Sequence, residues 1–142
     1  MASVETNIIS WQDAVKAKLR DYALLTKMRL SSLVVFSALM AYLITVPSTV
    51  FAWLDLFLLG VAGWMVTAAS NALNQVIEKS EDKLMERTSN RPLPSERMSV
   101  YEAILLAGLL GTAGIVILAL NFNMLSGLLG ALALISYSFI YT

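Results

Sequence analysis

The residues best equipped for chemistry lie between Asn71 and Ser99, in the run NALNQVIEKSEDKLMERTSNRPLPSERMS. At about 100° per helical residue, Asn71, Asn74, Glu78 and Asp82 fall within roughly 80° of one another, one turn apart. Two carboxylates at i and i+4 beside two amides form a hard, oxygen-rich surface. Such groups suit Mg²⁺, which takes one or two carboxylates, keeps several waters and bridges to phosphate oxygens. Lys83, Arg87 and Arg91 follow, and a guanidinium grips phosphate bidentately. Acidic groups for a metal beside basic groups for an anion are what a diphosphate site needs. Two blander readings fit the same residues. Asn71 and Asn74 can simply hydrogen-bond a neighbouring helix, and the charges can form a solvated helix face. The like-charged pair Glu78–Asp82 is unfavourable by itself, which argues against mere decoration.

The elements that must carry this stripe are apolar. Of the 142 residues, 58% are hydrophobic and only 14% charged, where soluble domains carry about 25% charged residues. Ten charged side chains are concentrated between Glu78 and Arg97. There is no Cys and no His, which excludes Cys nucleophiles, Cys/His zinc sites and His acid–base chemistry or haem ligation within this chain. Net charge is zero, so the information lies in its distribution. The first twenty-nine residues are too charged to read as a secretory signal.

Uncharged runs at Leu30–Val46, Leu56–Ile77, Ala103–Leu120 and Met124–Tyr141 predict four membrane spans, which extend beyond those runs to about 24–46, 54–82, 99–120 and 123–142. Lys27 and Arg29 are expected to snorkel to the surface from the first. Before it, residues 1–9 read as frayed, and Ser10 reads as the cap of an amphipathic helix. Trp11, Val15, Leu19 and Tyr22 share one face of that helix, as expected of an element lying in the membrane interface over residues 1–23. Every Lys and Arg lies before the first uncharged run, which starts at Leu30, or between the second and third, from Ile77 to Ala103. The positive-inside rule puts both segments, the N-terminus and the loop 78–99, on the cytoplasmic side. Pro92 and Pro94 break helix in that loop, as an ordered turn or as a lid. Ser99 and Glu102 fit a capping box. Gly108, Gly111, Gly114, Gly127 and Gly130 recur at i+3 and suggest close helix approach.

Together these motifs resemble the UbiA superfamily of intramembrane prenyltransferases, and within it the heme O synthase (protoheme IX farnesyltransferase) branch. The superfamily's N-D-x-x-D-x-x-x-D motif falls on Asn74, Gln75, Glu78 and Asp82. The branch pattern D-x-L-M-x-R-T-x-x-R-P-L-P falls on Asp82, Leu84, Met85, Arg87, Thr88, Arg91, Pro92, Leu93 and Pro94. LTKMRLS at Leu25–Ser31 is similar to the family's L-T-K-P-R, with Met28 for Pro, and YSFIYT to its Y-x-x-x-Y-T. Ser80 stands where the family usually has Asp.

The resemblance implies an all-α membrane fold, here four helices of a nine-helix bundle with an N-terminal interfacial helix. Residues 24–142 would be an incomplete prenyltransferase domain. It implies transfer of a farnesyl group from farnesyl diphosphate to a vinyl group of heme B, giving heme O, in the inner membrane. It assigns Asn74, Glu78 and Asp82 to catalysis, Glu78 and Asp82 to Mg²⁺, Lys83, Arg87 and Arg91 to the diphosphate, and Asn71 to the cavity wall. Heme A synthase or terminal-oxidase assembly factors are implied as partners, and nucleic acid is not. Because the family's second acidic motif is absent here, the isolated chain is expected to be inactive, a piece of something longer. Two rivals stay open: a UbiA-type enzyme with a quinone-precursor acceptor, and a non-catalytic four-helix membrane scaffold.

Overall fold

In the computed structural model, which describes the backbone of residues 2–141 and the side chains of residues 10–141, six α-helices follow one another. They are α1 (Ala2–Leu25), α2 (Met28–Thr45), α3 (Trp53–Ile77), α4 (Lys79–Leu84), α5 (Val100–Asn121) and α6 (Met124–Ile135). A π-helical turn over Ser136–Ile140 continues the last.

The boundaries have local causes. Lys27 adopts a left-handed conformation, φ 47°, and separates α1 from α2. Val46, extended ahead of Pro47, ends α2. Ser99 caps α5 by accepting from the Glu102 amide at 3.1 Å, and Asn123 caps α6 by accepting from the Ser126 amide at 2.8 Å. The capping box is only half made, because the Glu102 carboxylate turns instead to Lys18 and Tyr22 of α1.

α3 is the central helix, packed against α5, α2 and α6. Its Ala62, Ala68, Ala69 and Ala72 are fully buried. On α5 they meet equally small residues. A Cβ on Gly114 would sit 2.9 Å from the Ala62 carbonyl oxygen and 2.8 Å from Val66. Without a hydrophobic drive between helices in lipid, such close approach supplies the contact energy. Gly108 departs from the expectation, with nothing within 4 Å of its Cβ position; it faces outward.

The outer surface is apolar. Leu33, Phe36, Phe57, Leu109, Leu120 and Leu128 are all exposed, a surface suited to acyl chains rather than water. α2, α3 and α5 are each long and apolar enough to cross a membrane, and the apolar helix Met124–Ile140 is shorter. The expected second span stops at Ile77 instead of reaching residue 82, because Glu78, at φ −83° and ψ 6°, leaves the helix. Asp82 N still donates to Glu78 O at 2.8 Å, which links the start of α4 to the end of α3.

Two expectations about the N-terminus are corrected. The backbone is helical from Ala2, so residues 2–9 are not frayed, and Ser10 lies inside α1 instead of capping it. Trp11, Val15 and Leu19 are exposed as an apolar stripe, while Tyr22 turns to Glu102. α1 is tied to the bundle by Lys18 on Glu102 at 2.8 Å and Arg97 on Asp21 at 3.0 Å. Both basic segments therefore sit at the same end of the molecule.

Candidate functional site

The loop after α4 is ordered, and its own side chains hold it. Leu93 and Met98 are buried with Leu25, Ala69, Ala72 and Ala103. Thr88 Oγ1 donates to the Asp82 carbonyl at 2.8 Å, Ser95 Oγ to the Arg91 carbonyl at 2.6 Å, and Met98 N to the Pro92 carbonyl at 3.1 Å. This folding back returns Arg91 to α4, where its Nη1 lies 2.7 Å from Asp82 Oδ2.

Glu78, Glu81, Asp82, Arg87, Arg91 and Phe139 line one cavity of about 520 Å³. Glu78 and Asp82 are thus brought together with two of the three predicted basic residues. The third, Lys83, lies apart, 3.9 Å from the Glu96 carboxylate, with both side chains exposed. Glu81, which falls only about 20° beyond Asn74 on the helical wheel, joins the lining beside the predicted stripe.

The asparagines divide their work. Asn74 is buried and donates to Glu78 Oε1 at 3.3 Å. Asn71 Nδ2 donates to the Thr26 carbonyl at 3.2 Å and to Ser31 Oγ at 3.0 Å. Gln75 Nε2 donates to the Leu24 and Leu25 carbonyls, both at 2.9 Å. The last carbonyls of a helix have no partner within it, and α3 supplies partners for those of α1. Asn71 also lines an apolar cavity of about 250 Å³ with Leu30, Val34, Ser70 and Tyr137. Its Oδ1 and Gln75 Oε1 are buried without a partner among the described residues.

The residue that sequence reasoning missed is Lys27. It does not snorkel outward. Its Nζ donates to Asn74 Oδ1 at 3.3 Å and lies 5.9 Å from the Tyr137 ring centre. Burial pushes its amine below the ordinary lysine range and Arg91 adds to the push, while Glu78 and Asp82 oppose it. The left-handed backbone at Lys27, fixed from α3 through Asn71 and Gln75, turns the side chain inward. The only signal in the sequence was the T-K pair inside LTKMRLS. Arg29, by contrast, is exposed as expected.

Among the described residues no three acidic side chains close around a single ion. The chemistry of the donors still fits Mg²⁺. Glu78 and Asp82 supply hard oxygens, and the cavity leaves room for the water and phosphate oxygens that complete its shell.

The sequence profile of the UbiA prenyltransferase family matches residues 34–142. The chain belongs to the UbiA prenyltransferase family. It is similar to the protoheme IX farnesyltransferase of Cytophaga hutchinsonii, 41% identical over 126 residues that cover 89% of this chain and 44% of the relative. The Flavobacterium johnsoniae protein of the same name is 41% identical over 130 residues, 91% of this chain and 43% of the relative. The mitochondrial protoheme IX farnesyltransferase of Arabidopsis thaliana is 37% identical over 87% of this chain and 28% of its own length. The chain therefore spans less than half the length of these relatives. No solved structure matches. Apolar helices and UbiA membership together make this a multi-pass membrane protein.

Proposed function

We propose that this chain carries one wall of the active site of a heme-farnesylating enzyme, which transfers the farnesyl group of farnesyl diphosphate to a vinyl group of heme B. The observation that carries the reading is the cavity where Glu78 and Asp82 face Arg87 and Arg91. The names of the similar proteins, protoheme IX farnesyltransferases, favour heme over a quinone precursor as acceptor.

Glu78 and Asp82 would hold Mg²⁺, whose chemistry here is to neutralise diphosphate charge as the allylic C–O bond breaks. Asn74 fixes the Glu78 carboxylate through its amide. Arg87 and Arg91 bind the diphosphate oxygens, and Lys27 adds a third cation from the α1–α2 turn. Charge that develops on the leaving group thus meets preorganised cations. The apolar cavity beside Asn71 and Tyr137 takes part of the farnesyl tail and keeps water from a cationic intermediate. The basic end of the bundle faces the cytoplasm. Alone, the 142 residues are inactive, since one wall cannot close the site.

The test is a chimera in which this chain is joined in frame to the C-terminal half of the Cytophaga relative. With heme B, farnesyl diphosphate and Mg²⁺ it makes heme O. Turnover of 4-hydroxybenzoate but not heme would refute the acceptor.

A further inference from the structure

A second cavity lies on the other side of the same loop. Arg20 and Asp21 of α1 face Arg87, Asn90, Arg91 and Arg97 across a cleft of about 630 Å³. Four arginines line it against one carboxylate. Arg97 is paired with Asp21 and Arg91 with Asp82. Arg20 and Arg87 make no ion pair among the described residues, and both are exposed. Guanidinium groups gathered in a concave site repel one another unless an anion joins them. Their planar, multi-donor geometry matches phosphate.

The orientation of α1 decides where that anion comes from. On a helical wheel, Ala17, Arg20, Asp21 and Leu24, which line the cleft, centre roughly 170° from Trp11, Val15 and Leu19. The latter three form the exposed apolar stripe. With that stripe in the acyl boundary, the cleft opens to water. Arg87 and Arg91 line this cleft and the acidic cavity alike.

We infer that the cleft is a second anion site, taking a water-borne diphosphate without a metal, and that it adjoins the acidic cavity through Arg87 and Arg91. That this anion is the diphosphate of the transfer reaction, entering or leaving, rests on the reading above; the binding itself does not.

The experiment titrates inorganic diphosphate calorimetrically into the 142-residue chain in neutral detergent with EDTA. Excluding metal makes the titration read the cleft and not the metal-dependent cavity. One binding event is expected. Arg20→Gln weakens it by about tenfold or more, the scale of a lost charge-assisted contact. Ala17→Glu, which puts a carboxylate in the cleft wall, abolishes it. Lys16→Gln removes the same unit charge from α1 outside the cleft and leaves it unchanged. Absence of binding in EDTA, or equal weakening by Lys16→Gln and Arg20→Gln, overturns the site. A second arm uses nanodiscs containing phosphatidylglycerol. Diphosphate binding undiminished there supports a water-borne ligand. Displacement by the lipid, lost in Arg20→Gln, assigns the cleft to a headgroup phosphate and overturns it.

Discussion

Arg91 Nη1 lies 2.7 Å from Asp82 Oδ2, and the carboxylate is the deeper partner, with its side chain 7% exposed against 24% for the arginine. The pair joins the helical end of the motif to its loop. On the reading proposed above, a cation held by Asp82 would share this carboxylate with Arg91, whose guanidinium lines the same cavity.

Removing one partner leaves the other's charge uncompensated in a half-dry site. Arg91→Ala should destabilise the chain by about 2 kcal/mol, less than a fully buried pair because the arginine retains some solvent. Unfolding in graded SDS–detergent mixtures measures this. Arg91→Ala combined with Asp82→Asn should recover much of the loss. A double variant no more stable than Arg91→Ala would argue that the pair contributes nothing.

Lys27 gives a pH signature. Its folded-state pKa is lowered, chiefly by burial, below the ordinary 10.5. Between the two values the unfolded chain binds more protons than the folded one, so stability rises with pH through that window and is flat below it. Lys27→Met should remove the rise. Unfolding midpoints at neutral pH and near pH 10 for both proteins test it, and an equal rise in each would discard the buried-lysine account.

The α3–α5 contact predicts a contrast between two glycines. Gly114→Val forces atoms against the Ala62 carbonyl and Val66 and should cost about 1–3 kcal/mol by overpacking. Gly108→Val meets open space and should change stability by less than about 0.5 kcal/mol. The same unfolding assay decides; equal effects would contradict the packing described.

What the sequence made legible follows from periodicity and charge. The apolar helices and the cap at Ser99 were readable because each depends on neighbours in the chain, and the shared side of the two basic segments because it follows from charge and span order; the cap that Asn123 makes on α6 was not read. The stripe through Asn74, Glu78 and Asp82 was readable in phase, although the helix breaks at Glu78. What was not readable depends on loop return. Arg91 meets Asp82 only because Leu93 and Met98 bury the turn between α4 and α5. Lys27 faces inward only because Asn71 and Gln75, nearly fifty positions later, hold the end of α1. Glu102, read as half of a capping box, finds better partners on α1 in Lys18 and Tyr22. Lys83, equal to Arg87 by type and spacing, is turned to Glu96 on the far side of α4.

A metal–diphosphate half-site at Glu78 and Asp82 makes turnover depend on both carboxylates. The most direct measurement is heme O formation by the Cytophaga chimera carrying Glu78→Gln, with protein level and folding checked alongside. A fall in kcat of about a hundredfold or more is expected, the scale on which electrostatic stabilisation of a leaving group acts, with expression retained. Turnover at the rate of the unsubstituted chimera would contradict it.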